Sequence, residues 1–249
     1  MTLVRRGCLF TRSSVQGDIN VRPLLEVGTL ALFTVLVAVP AAASPVWNEI
    51  NAGQLPVTAE ITTGTGPLSQ IKGNLDFDLN SLIWDVDLYE INIVDAATFS
   101  ASTEASGANM DDPALYLFDL SGLGVYMNND NTTADFQSTL PAAHLFGPVL
   151  PGLYYLAIAW GFSDPQDATG NSIFSLDQFL DTTGVYGPTG PGGGGALGSW
   201  TAAGPVNFDL PSNYTINLTG ARAAIPEPAT LALLLAAAAG AFAGRRRRH

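Results

Sequence analysis

From Ser44 to Arg222, apolar and polar residues alternate with period two in short runs, and the runs end in glycine, asparagine, aspartate or proline. Successive side chains of a strand point to opposite faces, so this pattern predicts strands. Many short strands separated by turn residues predict an all-β sandwich or barrel. DVDLYEINIV places Asp85, Asp87, Tyr89, Ile91 and Ile93 on one face, and TFSASTEA is its expected partner. ALYLFD, the turn LSGLG and VYMNND follow. GLYYLAIAW sets Tyr154, Leu156, Ile158 and Trp160 on one face and the small Ala157 and Ala159 on the other, and YTINLTG groups Tyr214, Ile216 and Leu218. Faces of this kind are buried when two layers pack together. The expected fold is all-β: an antiparallel, jelly-roll-like β-sandwich, flanked by an N-terminal signal helix and a C-terminal hydrophobic helix.

The stretch 164–211 interrupts the strand pattern with GVYGPTGPGGGGALGSW, which reads as a flexible loop. No Gly-Lys-Ser/Thr follows the glycines, so they do not form a phosphate loop, and the Gly-x-y register is too brief for collagen. Within the stretch, SIFSLDQFL suits one turn of helix or a further strand. Trp200 is the tryptophan expected to be exposed. Trp47, Trp84 and Trp160 are expected to pack against the sheets.

Two further apolar runs lie outside this body. VGTLALFTVLVAV follows a basic segment and precedes Ala41-Ala42-Ala43-Ser44. That order predicts a secretory signal over 1–43, cleaved after Ala43 at an A-x-A site formed by Ala41 and Ala43, with Ser44 first in the mature chain. Ala229 to Ala243 is a run of 15 residues rich in Ala and Leu. It is short for a bilayer about 30 Å thick and suits a temporary tether. Basic residues after it hold that end in the cytoplasm.

The second run lies between Pro226-Glu227-Pro228 and the cluster Arg245, Arg246, Arg247 and Arg248. This tripartite tail over 222–249 resembles the PEP-CTERM sorting signal. The resemblance implies a partner, exosortase, which removes such tails in Gram-negative bacteria that make exopolysaccharide. It also implies passage through the inner membrane, transient membrane contact, and release or attachment at the outer cell surface. Two prolines cannot continue a helix, so the expected cleavage region stays extended and accessible.

Charge narrows the possible partners. Four of the ten basic residues precede the first apolar run, and four close the tail. The body between Ser44 and Ile225 holds nineteen carboxylates against Lys72 and Arg222, a net of −17. Such a body is repelled by nucleic acid and favours cations. Cys8 is the sole cysteine, so the body has neither a disulfide nor thiol chemistry.

Catalytic candidates are few. His144 is the body's one histidine, no G-x-S-x-G elbow exists, and imidazole or thiolate ligands for zinc are lacking. The body is therefore expected to be non-catalytic. Calcium is the one cofactor that the composition invites, because it takes oxygen from carboxylates, amides and carbonyls. The candidate ligands are Asp85 and Asp87 in WDVD, Asp111 and Asp112 in ANMDDP, and Asn128, Asn129, Asp130, Asn131 and Asp135 in MNNDNTTAD. None fits an EF-hand. Turn chemistry is the first reading of these residues, since Asn and Asp cap their own backbone, and calcium is the second.

The order DVDLY, LYLFDLSG, NNDN, GLYYLAIA and YTINL resembles the bacterial pre-peptidase C-terminal (PPC) domain, over Ile61 to Gly220. That resemblance implies a PPC-like sandwich over 44–221, carrying the insertion 164–211. The expected function is that of an exported, exosortase-sorted surface or extracellular protein of an exopolysaccharide or biofilm matrix. A carbohydrate- or calcium-binding module is the alternative, and a secreted hydrolase ranks third.

Overall fold

The computed structural model describes residues 46–78, 83–104, 110–161, 163–175, 183–201 and 212–225. The chain divides into units 1–40 and 41–249, and every described residue lies in the second. The expected signal and sorting helices fall outside the described residues, within which every regular element is a strand.

One sheet runs in the order β1 (Val46–Asn48), β3 (Gln70–Asn74), β15 (Asn213–Thr219), β7 (Ser100–Thr103) and β10 (Thr139–Leu140). The other runs β13 (Val185–Tyr186), β9 (Gly124–Asn128), β8 (Pro113–Asp119), β11 (Gly152–Trp160), β6 (Asp87–Ile93) and β16 (Ala221–Ala223), with β2 (Glu60–Ile61) also on β6. Two ribbons complete the set: β4 (Phe77–Asp78) with β5 (Ile83–Trp84), and β12 (Pro165–Asp167) with β14 (Leu197–Trp200). Most pairings are antiparallel, as expected. However, β1 lies parallel to β3, and β2 parallel to β6. The sheets are therefore mixed, because the segment from Val46 to Asn74 passes from one sheet to the other and back before β6 begins.

The predicted faces pack as a sandwich. Tyr89, Ile91 and Ile93 of β6, Leu115 and Leu117 of β8, and Leu156, Ile158 and Trp160 of β11 meet Ile71, Ala101, Tyr214, Ile216 and Leu218 of the smaller sheet in one core. Register explains the match: Leu156 stands opposite both Tyr89 and Leu117, and Ile158 opposite Asp87 and Leu115. The last long strand, β15, joins the smaller sheet between β3 and β7.

The outer face of the larger sheet is not left to solvent. Leu88, Ala114, Tyr116, Phe118, Tyr155, Ala157 and Ala159 form a second core with Ile173, Phe174 and Leu197. The described part of the Gly-rich stretch is thus a packed cover rather than the flexible loop that its composition suggests. Its backbone is tied down: Gly190 N donates to Ile173 O at 3.0 Å, Gly192 N to Ser172 O at 2.8 Å, and Leu197 N to Gly122 O at 2.8 Å. A Cβ at Gly190 would run into the carbonyls of Ser172 and Phe174. Trp200 belongs to this cover. It is half-buried, its ring is edge-on to Tyr116 and Phe118, and its Nε1 donates to Gln54 O at 2.8 Å.

The glycines separate a packed cover from a free linker. Adding one methyl where backbone atoms already touch costs about 1–3 kcal/mol. Gly190→Ala should therefore lower the melting midpoint by roughly 3–10 °C, whereas Gly194→Ala, with nothing within 4 Å of the added atom, should leave it within about a degree. Differential scanning calorimetry of the two variants decides the matter, and equal midpoints would contradict the packed cover.

Candidate functional site

Among the described residues the fold buries the acids Asp87, Asp130 and Asp164. The first group forms at the end of the inner face. Period two carries Asp87 inward with Tyr89, and Asp87 is 1% exposed. Tyr214, from the opposite sheet, donates to Asp87 Oδ2 and shares a hydrogen bond with Tyr89 OH. Asp87 Oδ1 has no hydrogen-bond partner. Gly73 makes room here, since a Cβ there would collide with Tyr214 OH and lie 2.5 Å from Glu49 Oε2. Burial pushes the Asp87 carboxyl up to about 9, the Tyr214 hydrogen bond opposes this, and the charges of Asp85, Glu49 and Asp76 add to it. Asp85 rises to about 7, first through burial, with Asp76 and Glu49 adding repulsion. Its Oδ1 accepts Asp76 N at 2.8 Å. Burial thus favours the neutral acid at Asp87.

The second group lies where β8 begins and where β9 and β11 end. Asp112 immediately precedes β8, Asn129 and Asp130 follow β9, and Gly161 follows β11. Asn129 and Asp130 are buried, and Asp112 is half-buried. Asp112 Oδ1 and Asn129 Oδ1 accept no hydrogen bond. Burial pushes the Asp112 carboxyl up to about 6, helped by the charges of Asp130 and Asp111. The sequence offers Asn128 and Asn129 together as candidates, and the end of β9 decides which of the two adjacent asparagines lies beside Asp112.

The other candidates are spent on structure. Asn128 Nδ2 donates to the carbonyls of Asp130 and Gly184, and its Oδ1 accepts Thr139 N, which ties β9 to β10 and to the cover. Asp135 closes a turn, accepting from Gln137 N and Asn131 Nδ2. Asp111 is exposed at the rim of a shallow depression shared with Asp135, Phe136 and Gln137. Turn chemistry thus accounts for Asn128 and Asp135. Among the described residues, no three His, Cys, Asp or Glu side chains converge as a metal site.

His144 is half-buried, stacks on Tyr126 with ring centroids 6.3 Å apart, and accepts Phe146 N at Nδ1. The tryptophan faces are also committed. Trp84 and Trp160 are buried against each other at 5.4 Å, and Trp47 Nε1 donates to Glu60 at 2.8 Å. Trp200, expected at the surface, is the edge-on cover residue described above. Ala41, Ala43, Ser44, Pro226, Glu227, Pro228 and the four terminal arginines lie outside the described residues.

A sequence profile of the PEP-CTERM protein-sorting motif matches residues 224–248. The motif begins where the sandwich ends: Ala224 N donates to Thr62 Oγ1 and Ile225 N to Thr62 O, so the body grips the residues just before Pro226. No curated protein matches the chain.

The buried acid of the first group should make stability depend on pH. The folded carboxyl of Asp87 stays protonated up to about 9, whereas the unfolded one ionises near 3.8. The unfolded state therefore loses its proton first, and stability falls as pH rises through that window, at most about 1.4 kcal/mol per pH unit for one proton. Asp87→Asn keeps the shape and the acceptor for Tyr214 without the charge. It should flatten the decline measured by urea unfolding between pH 5 and 9, and an undiminished slope in the variant would refute the assignment.

Proposed function

We propose that this chain is an exported, non-catalytic β-sandwich protein, handed to an exosortase by its tail and acting at the outer surface or in the extracellular polysaccharide matrix of a Gram-negative bacterium. The observation that carries the reading is the PEP-CTERM match over residues 224–248. That motif implies sorting of an exported protein and processing by exosortase. The order of motifs in the body favours a PPC-like module. The non-catalytic part is supported by the single histidine of the body, which is held in an aromatic turn, and by the neutral, inward-facing Asp87. The tryptophan faces are committed to packing, which argues against a sugar platform built on them.

The junction suits this role. The last described hydrogen bonds between tail and body are made by Ala224 and Ile225. Cleavage beyond Ile225 would thus remove the tail while leaving β16 paired with β6.

In an exosortase-bearing host, intact mass spectrometry of protein from the medium or cell surface should find a chain that begins near Ser44 and lacks Arg245 to Arg248. Glu227→Ala should move most of the chain, tail attached, to the membrane fraction. A surface species that retains the four arginines would overturn the sorting reading.

A further inference from the structure

The oxygens around Gly161 have the wrong balance of acceptors and donors for a closed interior. A Cβ at Gly161 would collide with Asp112 Oδ1 at 2.6 Å and meet Asn129 Oδ1 at 3.0 Å, so both oxygens lie close together against the bare Cα of Gly161. Asn129 is only 5% exposed, and neither oxygen accepts a hydrogen bond. Asp130 is also buried, and its charge acts on Asp112. Nearby, Gln137 turns its Nε2 to the carbonyls of Met110 and Asp111, which leaves Oε1 buried without a partner. The Ser138 hydroxyl has one proton to offer and meets three carbonyls, those of Pro113, Asn128 and Asn129. Buried polar groups are normally paired, and a buried charge is normally compensated by a counter-charge or a metal.

We propose that the space bounded by Asp112, Asn129 and Asp130 beside Gly161 is a calcium site. The ligand types decide the ion. Two carboxylates, an amide and surplus backbone carbonyls are hard oxygen donors, whereas zinc calls for imidazole or thiolate. Magnesium demands a tighter octahedron and keeps much of its water, while calcium accepts irregular sets of six to eight oxygens. The location gives the ion a structural task. Asp112 enters β8 and Asn129 and Asp130 leave β9, so one ion would tie these two adjacent strands where β11 also ends, at Gly161. In the Asp85 and Asp87 group, Asp87 Oδ2 already accepts from Tyr214 and Asp85 Oδ1 from Asp76 N, and Asp135 is spent on the turn it closes. This inference goes beyond the sorting reading and does not rest on it.

The test uses the full-length chain in mild detergent. Equilibrium dialysis should find one calcium per chain. Saturating calcium should raise the melting midpoint by about 5–10 °C over magnesium at equal ionic strength. Terbium at the same site should be sensitised by Trp160, the residue next to Gly161, and calcium should displace it. Asp112→Asn and Gly161→Ala, the second filling the space with a single methyl, should each weaken calcium binding at least tenfold, while Asp135→Asn should leave it unchanged. Equal responses to calcium and magnesium, or full calcium binding by Gly161→Ala, would overturn the site. If a variant fails to fold, the wild type decides: absence of saturable calcium binding to it refutes the proposal.

Discussion

The interior strands β8 and β11 are shut off from water on both faces, and the rest of the architecture follows from that. One face carries branched and aromatic side chains into the core between the sheets. The other carries Ala157 and Ala159 of β11 alongside Tyr116 and Phe118 of β8. The small residues leave room above β11, and the aromatic rings fill it together with Phe174 and Trp200 from the cover. A sheet with a second apolar face has to find a third layer or associate, because its exposed rings would otherwise stay in water. The glycines of the cover let main chain approach main chain closely, and its described residues supply that layer with short strands and turns.

Negative charge is the second constraint, and the fold meets it in several ways. Carboxylates at turns accept backbone N–H groups, as Asp119 does from Ser121 and Leu123, and Asp167 from Thr169 and Asn171. Burial favours the protonated form of Asp87, whose Oδ2 accepts from Tyr214, itself hydrogen-bonded to Tyr89. Asp112 Oδ1 and Asn129 Oδ1, beside Gly161, accept no hydrogen bond, and the proposed cation rests on that pair. With Lys72 and Arg222 the only Lys or Arg in the body, compensation by ion pairs was never open to most of these groups.

Much of the fold was legible in the chain because strand periodicity is local. The inward set Asp87, Tyr89, Ile91 and Ile93, and the set Tyr154, Leu156, Ile158 and Trp160, follow from alternation alone. The sorting tail was legible for a related reason: prolines, an apolar run and an arginine cluster are recognised by a membrane and an enzyme as linear chemistry, with no folded context needed. The sequence by itself thus determined which face of each strand turns inward, the excess of acid and the form of the tail.

Only the tertiary structure decided the rest, because it depends on residues far apart in the chain. Gly190 and Ser172 approach closely only after the cover has folded over the sheet, so a composition that promises flexibility ends as packed backbone. Asp87 meets Tyr214 across 127 residues, and neither side chain announces the other. Asn128 and Asn129 are identical neighbours, yet the end of β9 turns one into a pin for three backbone groups and leaves the other facing Asp112. Which of the many acids are turn residues, which is a buried neutral acid and which face a common space was therefore set by strand register and by the missing side chain at Gly161, neither of which local periodicity encodes.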